Sequence, residues 1–133
     1  MRAALAAKLF LLMTAVVVAF QLALAAGAPW GELTMGGAFP GQLPPRMRAA
    51  AIGSALVLAA FAAVVAARAG LAFPRWQRAS RRVIWVVVVY SVVGVVLNAA
   101  TPSPRERLLW LPVTIALMAC ALVVARTRDR GQV

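Results

Sequence analysis

The chain has 133 residues, of which 64% are hydrophobic and 13% are charged, and its 14 basic and 3 acidic side chains give a net charge of +11. Soluble domains are about half apolar and about a quarter charged, so this composition is that of a membrane protein. Histidine is absent and cysteine occurs once, which excludes histidine proton relays, Ser-His-Asp triads, intramolecular disulfides and the common zinc sites. We therefore expect no cofactor.

Four uncharged apolar stretches follow one another, and each is close to the ~20 residues that a helix needs to cross a bilayer. They cover residues 9–28, 49–67, 83–101 and 108–125. We predict an all-α fold, a single integral membrane domain over residues 1–133 that forms an antiparallel, up-down four-helix transmembrane bundle. The first stretch also resembles a signal peptide, but it is longer than the usual apolar run of about 7–15 residues, which favours an uncleaved span.

Basic residues are distributed unevenly between the two predicted sides of the membrane. Ten lie in the N-terminus, the second loop and the C-terminus, whereas four lie in the first and third loops. The positive-inside rule then places both termini in the cytoplasm. The same rule explains the basic excess without nucleic acid, which we do not expect as a partner. Heavy use of Arg, Ala and Val is typical of a GC-rich bacterial genome, so we expect a multi-pass protein of the bacterial plasma membrane.

The segment between the first two spans, residues 29–48, is rich in glycine and proline and also carries large apolar side chains. A solvated linker would be polar, whereas these side chains need cover. We predict an ordered outer loop that lies as a flap on the mouth of the bundle, with a short hairpin around Gly36-Gly37 as one way to fold it. The alternative is a loop in the lipid interface, with Trp30 as an aromatic anchor.

The other two loops carry local folding signals. Ser103, Pro104 and Glu106 occupy the N-cap, N1 and N3 positions of a capping box before the fourth span. In the second loop, Gly70 suits the left-handed position after a helix. The arginines and tryptophans that follow it predict a basic turn in the headgroup layer.

Candidate functional residues gather on the predicted outer side, where a partly desolvated pair between Glu32 and an arginine would pin the flap. Such a pair also resembles the lining of a shallow anion or headgroup pocket. The alternative is a set of exposed pairs contributing about 0–1 kcal/mol each. The cluster comprises Trp30, Glu32, Arg46, Arg48, Asn98, Arg105, Glu106, Arg107 and Trp110.

Two amides within the spans, Gln21 and Asn98, are costly to leave unpaired in hydrocarbon. Both fall in the predicted outer halves of their spans. We expect them to bond each other or loop carbonyls and so to fasten helices together.

The segments PWGELTMGGAFPGQLPPRMR and NAATPSPRERLLWLPV resemble those of uncharacterised small four-span integral membrane proteins of actinobacterial type. This resemblance covers most of the chain and implies the architecture but no activity. Small multidrug exporters are similar in size, yet they carry a membrane-embedded glutamate in the first span that this chain lacks.

Three functions stay open. The favoured one is a non-enzymatic membrane protein that binds or stabilises a partner protein or lipid at its outer face. The alternative is a small oligomeric transporter or channel. A lipid-modifying enzyme would need Glu32 and Glu106 as its acid and base. The expected partners are membrane lipid and either a membrane protein or a second copy of the chain.

Overall fold

The structure is a computed structural model that describes residues 2–127. It contains four long helices and, within that range, no strand, which confirms the all-α prediction. All four are long and apolar enough to cross a membrane, so the chain has the make-up of a multi-pass membrane protein. They are α1 (Arg2–Ala26), α2 (Pro45–Arg68), α3 (Gln77–Ala100) and α4 (Pro104–Ala125).

The four helices form a ring, in which α1 packs against α2 and α4, and α3 packs against the same two helices. One apolar core joins the beginnings of α1 and α3 to the ends of α2 and α4. At its centre, Ala7, Val65, Ile84, Val87 and Val124 have no exposed surface. Of the four neighbouring pairs, α2 and α3 touch least.

Many large apolar side chains point away from the bundle. Leu12, Leu56, Val89, Leu97 and Leu108 are each more than half exposed. Lipid tails are as apolar as leucine, so a bilayer covers such side chains without penalty, whereas water would not. The outward faces thus agree with the apolar composition of the helices.

The connection between α2 and α3, residues 69–76, begins as the sequence predicted. Gly70 has a φ of +70°. Its N–H donates to the carbonyl of Ala67 at 3.1 Å, and the N–H of Leu71 donates to that of Ala66 at 2.9 Å. These two bonds form a Schellman motif, which satisfies the last carbonyls of α2. The buried Arg68 beside it donates to the carbonyl of Thr127.

The loop between α1 and α2, residues 27–44, contains two short 3-10 turns, Gly31–Leu33 and Met35–Gly37. The hairpin expected around Gly36-Gly37 was wrong. A hairpin needs a strand on each side of its turn, whereas the residues around Gly36-Gly37 form two 3-10 turns and no strand lies within residues 2–127.

The same loop is closed into a ring by a hydrogen bond from the N–H of Gly31 to the carbonyl of Gly41, 2.9 Å long. A Cβ atom at Gly31 would lie 1.7 Å from the carbonyl oxygen of Phe39, so only glycine fits. Leu43 is 2% exposed and packs with Leu24 of α1 and Ala51 of α2 in a second apolar core. The loop is therefore folded on the helix ends.

Candidate functional site

Glu106, in the first turn of α4, is the main attachment of the loop. Its Oε2 atom accepts a hydrogen bond from the N–H of Gly36 at 2.8 Å and another from the hydroxyl of Thr101 at 2.9 Å. Gly36 lies against Pro102, whose Cγ would be 3.2 Å from a Cβ at that position. A carboxylate suits this place, because the N-terminus of a helix favours negative charge.

The capping box predicted for α4 is formed only in part. The Ser103 hydroxyl caps the helix by accepting from the N–H of Glu106 at 3.3 Å. The Glu106 carboxylate does not accept a hydrogen bond from the N–H of Ser103, which donates to the hydroxyl of Thr101 instead. The reason is competition, since the loop delivers the N–H of Gly36 to the same carboxylate.

Two more hydrogen bonds hold the loop on the beginning of α4. The Ser103 hydroxyl donates to the backbone carbonyl of Glu32 at 3.1 Å, and the indole N–H of Trp110 donates to the carbonyl of Leu33 at 2.8 Å. Both acceptors are backbone atoms of the first 3-10 turn. The attachment therefore depends on the conformation of the loop more than on its side chains.

Three aromatic rings lie together under this attachment. Phe20 of α1 stacks on Trp30 with ring centres 6.0 Å apart and meets Trp110 edge-to-face at 4.7 Å. Such pairs add about 0.5–1.5 kcal/mol beyond the area they bury. Trp30 and Trp110, both predicted members of the cluster, are thus joined through a residue that the sequence analysis did not select.

The charge pair predicted to pin the flap is present but exposed. Glu32 Oε2 and Arg105 Nη1 are 2.7 Å apart, and their side chains are 49% and 76% exposed. The expectation of partial desolvation was wrong, because Glu32 lies on the outer edge of the 3-10 turn. A pair this exposed contributes about 0–1 kcal/mol.

The other arginines do not converge on a common site. Arg48 donates to the carbonyl of Leu43 at 2.9 Å and to the side chain of Gln42 at 3.1 Å, within its own part of the chain. Arg107 donates to the carbonyl of Thr101 at 2.6 Å. Arg46 is exposed and has no hydrogen bond or ion pair to residues 2–127. The structure therefore gathers no cationic pocket here.

Gln21 and Asn98 do not bond each other as expected. The Asn98 amide donates to the carbonyl of Gly94 in its own helix at 2.8 Å. The side chain of Gln21 makes no hydrogen bond to any part of the chain that the structure describes. Both residues instead line a cavity.

This cavity, of about 280 Å³, lies within the bundle beneath the loop and is lined by all four helices. Thr34 of the loop, Glu106 and Trp110 line it at the loop end. Phe10 and Leu117, which belong to the main apolar core, line it at the other end. Its walls are mainly apolar, and the polar side chains on them besides Thr34 and Glu106 are Thr14, Gln21, Ser54, Tyr90, Ser91, Asn98 and Thr114.

One residue of the cavity wall has a hydroxyl that is both buried and without a partner. Thr14 is 2% exposed, and its Oγ1 atom has no hydrogen bond to residues 2–127. By contrast, the hydroxyls of Ser91 and Thr114 bond carbonyls of their own helices at 2.8 and 3.0 Å. Leaving a buried hydroxyl unpaired costs about 1–3 kcal/mol, so a partner that reached the Thr14 hydroxyl would remove that cost.

Thr14 was not predicted as a site residue, although the sequence contains a signal for it. Phe10, Thr14, Val17 and Gln21 recur at helical spacing and all line the cavity. That spacing puts two polar side chains on one face of an otherwise apolar helix.

The exposure of the α3 wall of the cavity indicates an opening sideways between α2 and α3, the neighbouring helices that touch least. Tyr90, Val93 and Leu97 line the cavity from α3, yet they are 44%, 48% and 64% exposed. Phe61 of α2 meets Tyr90 edge-to-face with ring centres 4.9 Å apart, so one aromatic pair bridges the opening. This opening faces the surroundings of the helices, which in a membrane are lipid chains.

No three His, Cys, Asp or Glu side chains of residues 2–127 come together as metal ligands would. Comparison of the chain with models of protein families, with curated proteins and with solved structures finds no match. The function must therefore be argued from the cavity and the loop above it.

Proposed function

We propose that this is a non-enzymatic, multi-pass protein of the bacterial plasma membrane that binds a membrane lipid in the cavity beneath its extracytoplasmic loop. The observation that carries the proposal is a cavity whose wall includes the buried, unpaired Thr14 and, on α3, side chains that are also exposed on the outside of the bundle. Ligand pockets typically measure about 300–1,000 Å³, so a cavity of about 280 Å³ is just below that range. It suits the head and the first part of the chain of a lipid.

The shape of the bundle supports binding over transport. Beyond Phe10 and Leu117 the helices are packed on fully buried residues such as Ile84 and Val124. A pore through a single bundle would need a polar path through this core, whereas the polar side chains on the cavity wall stop above it. The oligomeric transporter remains the alternative, and ion or solute flux into liposomes containing the protein would favour it.

Lipid binding is tested by purifying the protein in mild detergent and weighing it intact by native mass spectrometry. Ser54→Leu fills the cavity. Gly53→Leu adds the same side chain at the preceding residue, where a Cβ meets nothing within 4 Å. We expect the wild type and Gly53→Leu to retain lipid and Ser54→Leu to lose it. Equal retention by both variants would contradict a site in the cavity, and a stoichiometric protein instead of lipid would indicate a partner-binding role.

The proposed orientation follows from the arginine distribution and has its own test. Ala38 in the α1–α2 loop and Ala72 in the α2–α3 connection are both exposed. In a Cys120→Ala background, Ala38→Cys should react with a membrane-impermeant maleimide on intact cells, and Ala72→Cys should react only after lysis. The reverse pattern would place the termini outside and invert the topology.

A further inference from the structure

We infer that the cavity selects lipids with an uncharged head that carries hydroxyl or carbonyl groups and rejects those with an anionic head. This inference rests on the proposed function, because it specifies the ligand of the same cavity. It differs from the anion pocket suggested by the sequence, because the head it proposes is uncharged.

The charged groups around the cavity disfavour an anionic ligand. Glu106 is the one carboxylate among the lining residues, and no arginine or lysine lines the cavity with it. The nearby cations Arg48, Arg105 and Arg107 are bonded to Leu43, Glu32 and Thr101 outside it. A phosphate or carboxylate head would meet a like charge and no counter-charge in a poorly solvated space, which is unfavourable.

Two polar side chains of the cavity wall have no hydrogen-bond partner in the described part of the chain and favour a head that donates and accepts. The Thr14 hydroxyl is buried without a partner, and the Gln21 amide also makes no bond within residues 2–127. Hydroxyl and amide groups both donate and accept, so they complement a head that does the same. Seven residues along a helix span about 10 Å, so Thr14 and Gln21 can bond different groups of one glycerol-sized head.

The opening between α2 and α3 favours a ligand with a long apolar chain. The small volume holds a head and a short length of chain, so the remaining chain must leave the bundle. Tyr90, Val93 and Leu97 provide an apolar exit at membrane depth, with the Phe61–Tyr90 pair across it. A molecule with a polar head and a long apolar chain fits this arrangement, whereas a water-soluble polar molecule does not.

Trp110 lines the cavity and can report on binding by fluorescence. The chain has four tryptophans, so replacing Trp30, Trp76 and Trp85 with Phe leaves Trp110 as the single emitter. The probes are a monoacylglycerol brominated in its chain and the lysophosphatidic acid with the same brominated chain, which differ only by the phosphate. Bromine quenches a nearby indole, so quenching that saturates measures occupancy.

We expect the monoacylglycerol to half-quench Trp110 at a concentration at least tenfold below that of the lysophosphatidic acid. Glu106→Gln should shrink this ratio, because the amide oxygen can still accept from Gly36 and Thr101 while the negative charge is gone. The matched control Glu32→Gln changes an exposed carboxylate outside the cavity and should leave the ratio unchanged.

A second pair of variants tests the hydroxyl. Thr14→Val removes the unpaired hydroxyl at nearly constant shape and should weaken monoacylglycerol binding several-fold without lowering the melting temperature of the lipid-free protein. Thr114→Val removes a cavity hydroxyl that already bonds its own helix, so the loss of affinity should be smaller. Equal losses for the two variants would contradict a role for Thr14 in holding the head.

The outcomes separate this inference from the proposed function. If native mass spectrometry finds retained lipid but the two probes quench equally, or the lysophosphatidic acid quenches better, the inference is overturned and lipid binding stands. If no lipid is retained and neither probe quenches Trp110 saturably, lipid binding itself fails and the inference falls with it.

Discussion

The helix connections at the two ends of the bundle contain similar turns, which are held by different kinds of contact. Each has a helix connection with a 3-10 turn and a residue other than glycine at a φ of +52°, Met35 at one end and Phe73 at the other. At the loop end, side chains and backbone distant in sequence hold the turn, through contacts such as Gly36 to Glu106. At the basic end, defined as residues 69–82, the backbone bonds of the turn are local, as in Trp76 N–H to Phe73 carbonyl at 2.9 Å.

The side chains of the two ends differ in the same way. Phe73 and Trp76 stack with ring centres 5.2 Å apart but remain 47% and 53% exposed, among several arginines. Exposed aromatic and basic side chains together are typical of a membrane interface. The comparison teaches that contacts between distant residues hold the loop end, whereas the basic end leaves its aromatic and basic side chains exposed. Stability should therefore respond to changes at the loop end.

The largest effect is expected for Gly31→Ala. The new Cβ would overlap the carbonyl of Phe39, so the ring closed by Gly31 and Gly41 must open, at a cost of about 3 kcal/mol or more. Thermal unfolding in detergent should show a large drop in melting temperature. Gly53→Ala, on an open helix face, should be neutral or slightly stabilising, and a similar drop there would indicate a general intolerance of alanine.

Glu106→Ala comes next. It removes both bonds to Oε2 and leaves the N–H of Gly36 and the O–H donor of Thr101 without an acceptor, which should cost about 3 kcal/mol. Hydrogen exchange followed by mass spectrometry should show faster exchange over residues 31–41 while the basic end is unchanged. Glu106→Gln should recover most of the protection. Unchanged exchange in the alanine variant would show that the loop does not depend on this carboxylate.

Trp110→Phe isolates one hydrogen bond. The ring and its contact with Phe20 are largely kept, but the bond to the Leu33 carbonyl is lost, so we expect destabilisation of about 1 kcal/mol. Trp76→Phe makes the same change at the basic end and should have no measurable effect on the melting temperature. Equal losses of stability in the two variants would show that the two ends contribute alike to the stability of the fold.

The smallest effect is expected for Glu32→Gln. The pair with Arg105 is exposed, so its loss should change the free energy of unfolding by about 0–1 kcal/mol and less at high salt. Thermal unfolding at low and high salt measures this directly. A larger, salt-independent loss would show that the pair is desolvated in the membrane after all.

Local sequence signals predicted the parts of the fold that local physics controls. The length and apolar character of the four stretches are enough to predict helices, since backbone groups in hydrocarbon must bond within the helix. Gly70 and Ser103 were correctly placed at helix ends, because a cap depends on a few neighbouring residues. The Gly/Pro content of the first loop indicated unusual backbone angles, though not which turn they would form.

The sequence by itself thus determined the number of helices, their apolar character and, to within two residues, where they end. The apolar stretches did not determine where they begin, because each helix starts four to seven residues before its apolar stretch, as α1 does at Arg2 and α3 at Gln77. Only the tertiary structure decided that Glu106 rather than Glu32 holds the loop, that Gln21 and Asn98 stay apart, and that the Thr14 hydroxyl lies unpaired in a cavity. The physical reason is that lipid is as apolar as the side chains it touches. Hydrophobicity therefore does not distinguish an inner helix face from an outer one, and contacts between distant residues make that choice.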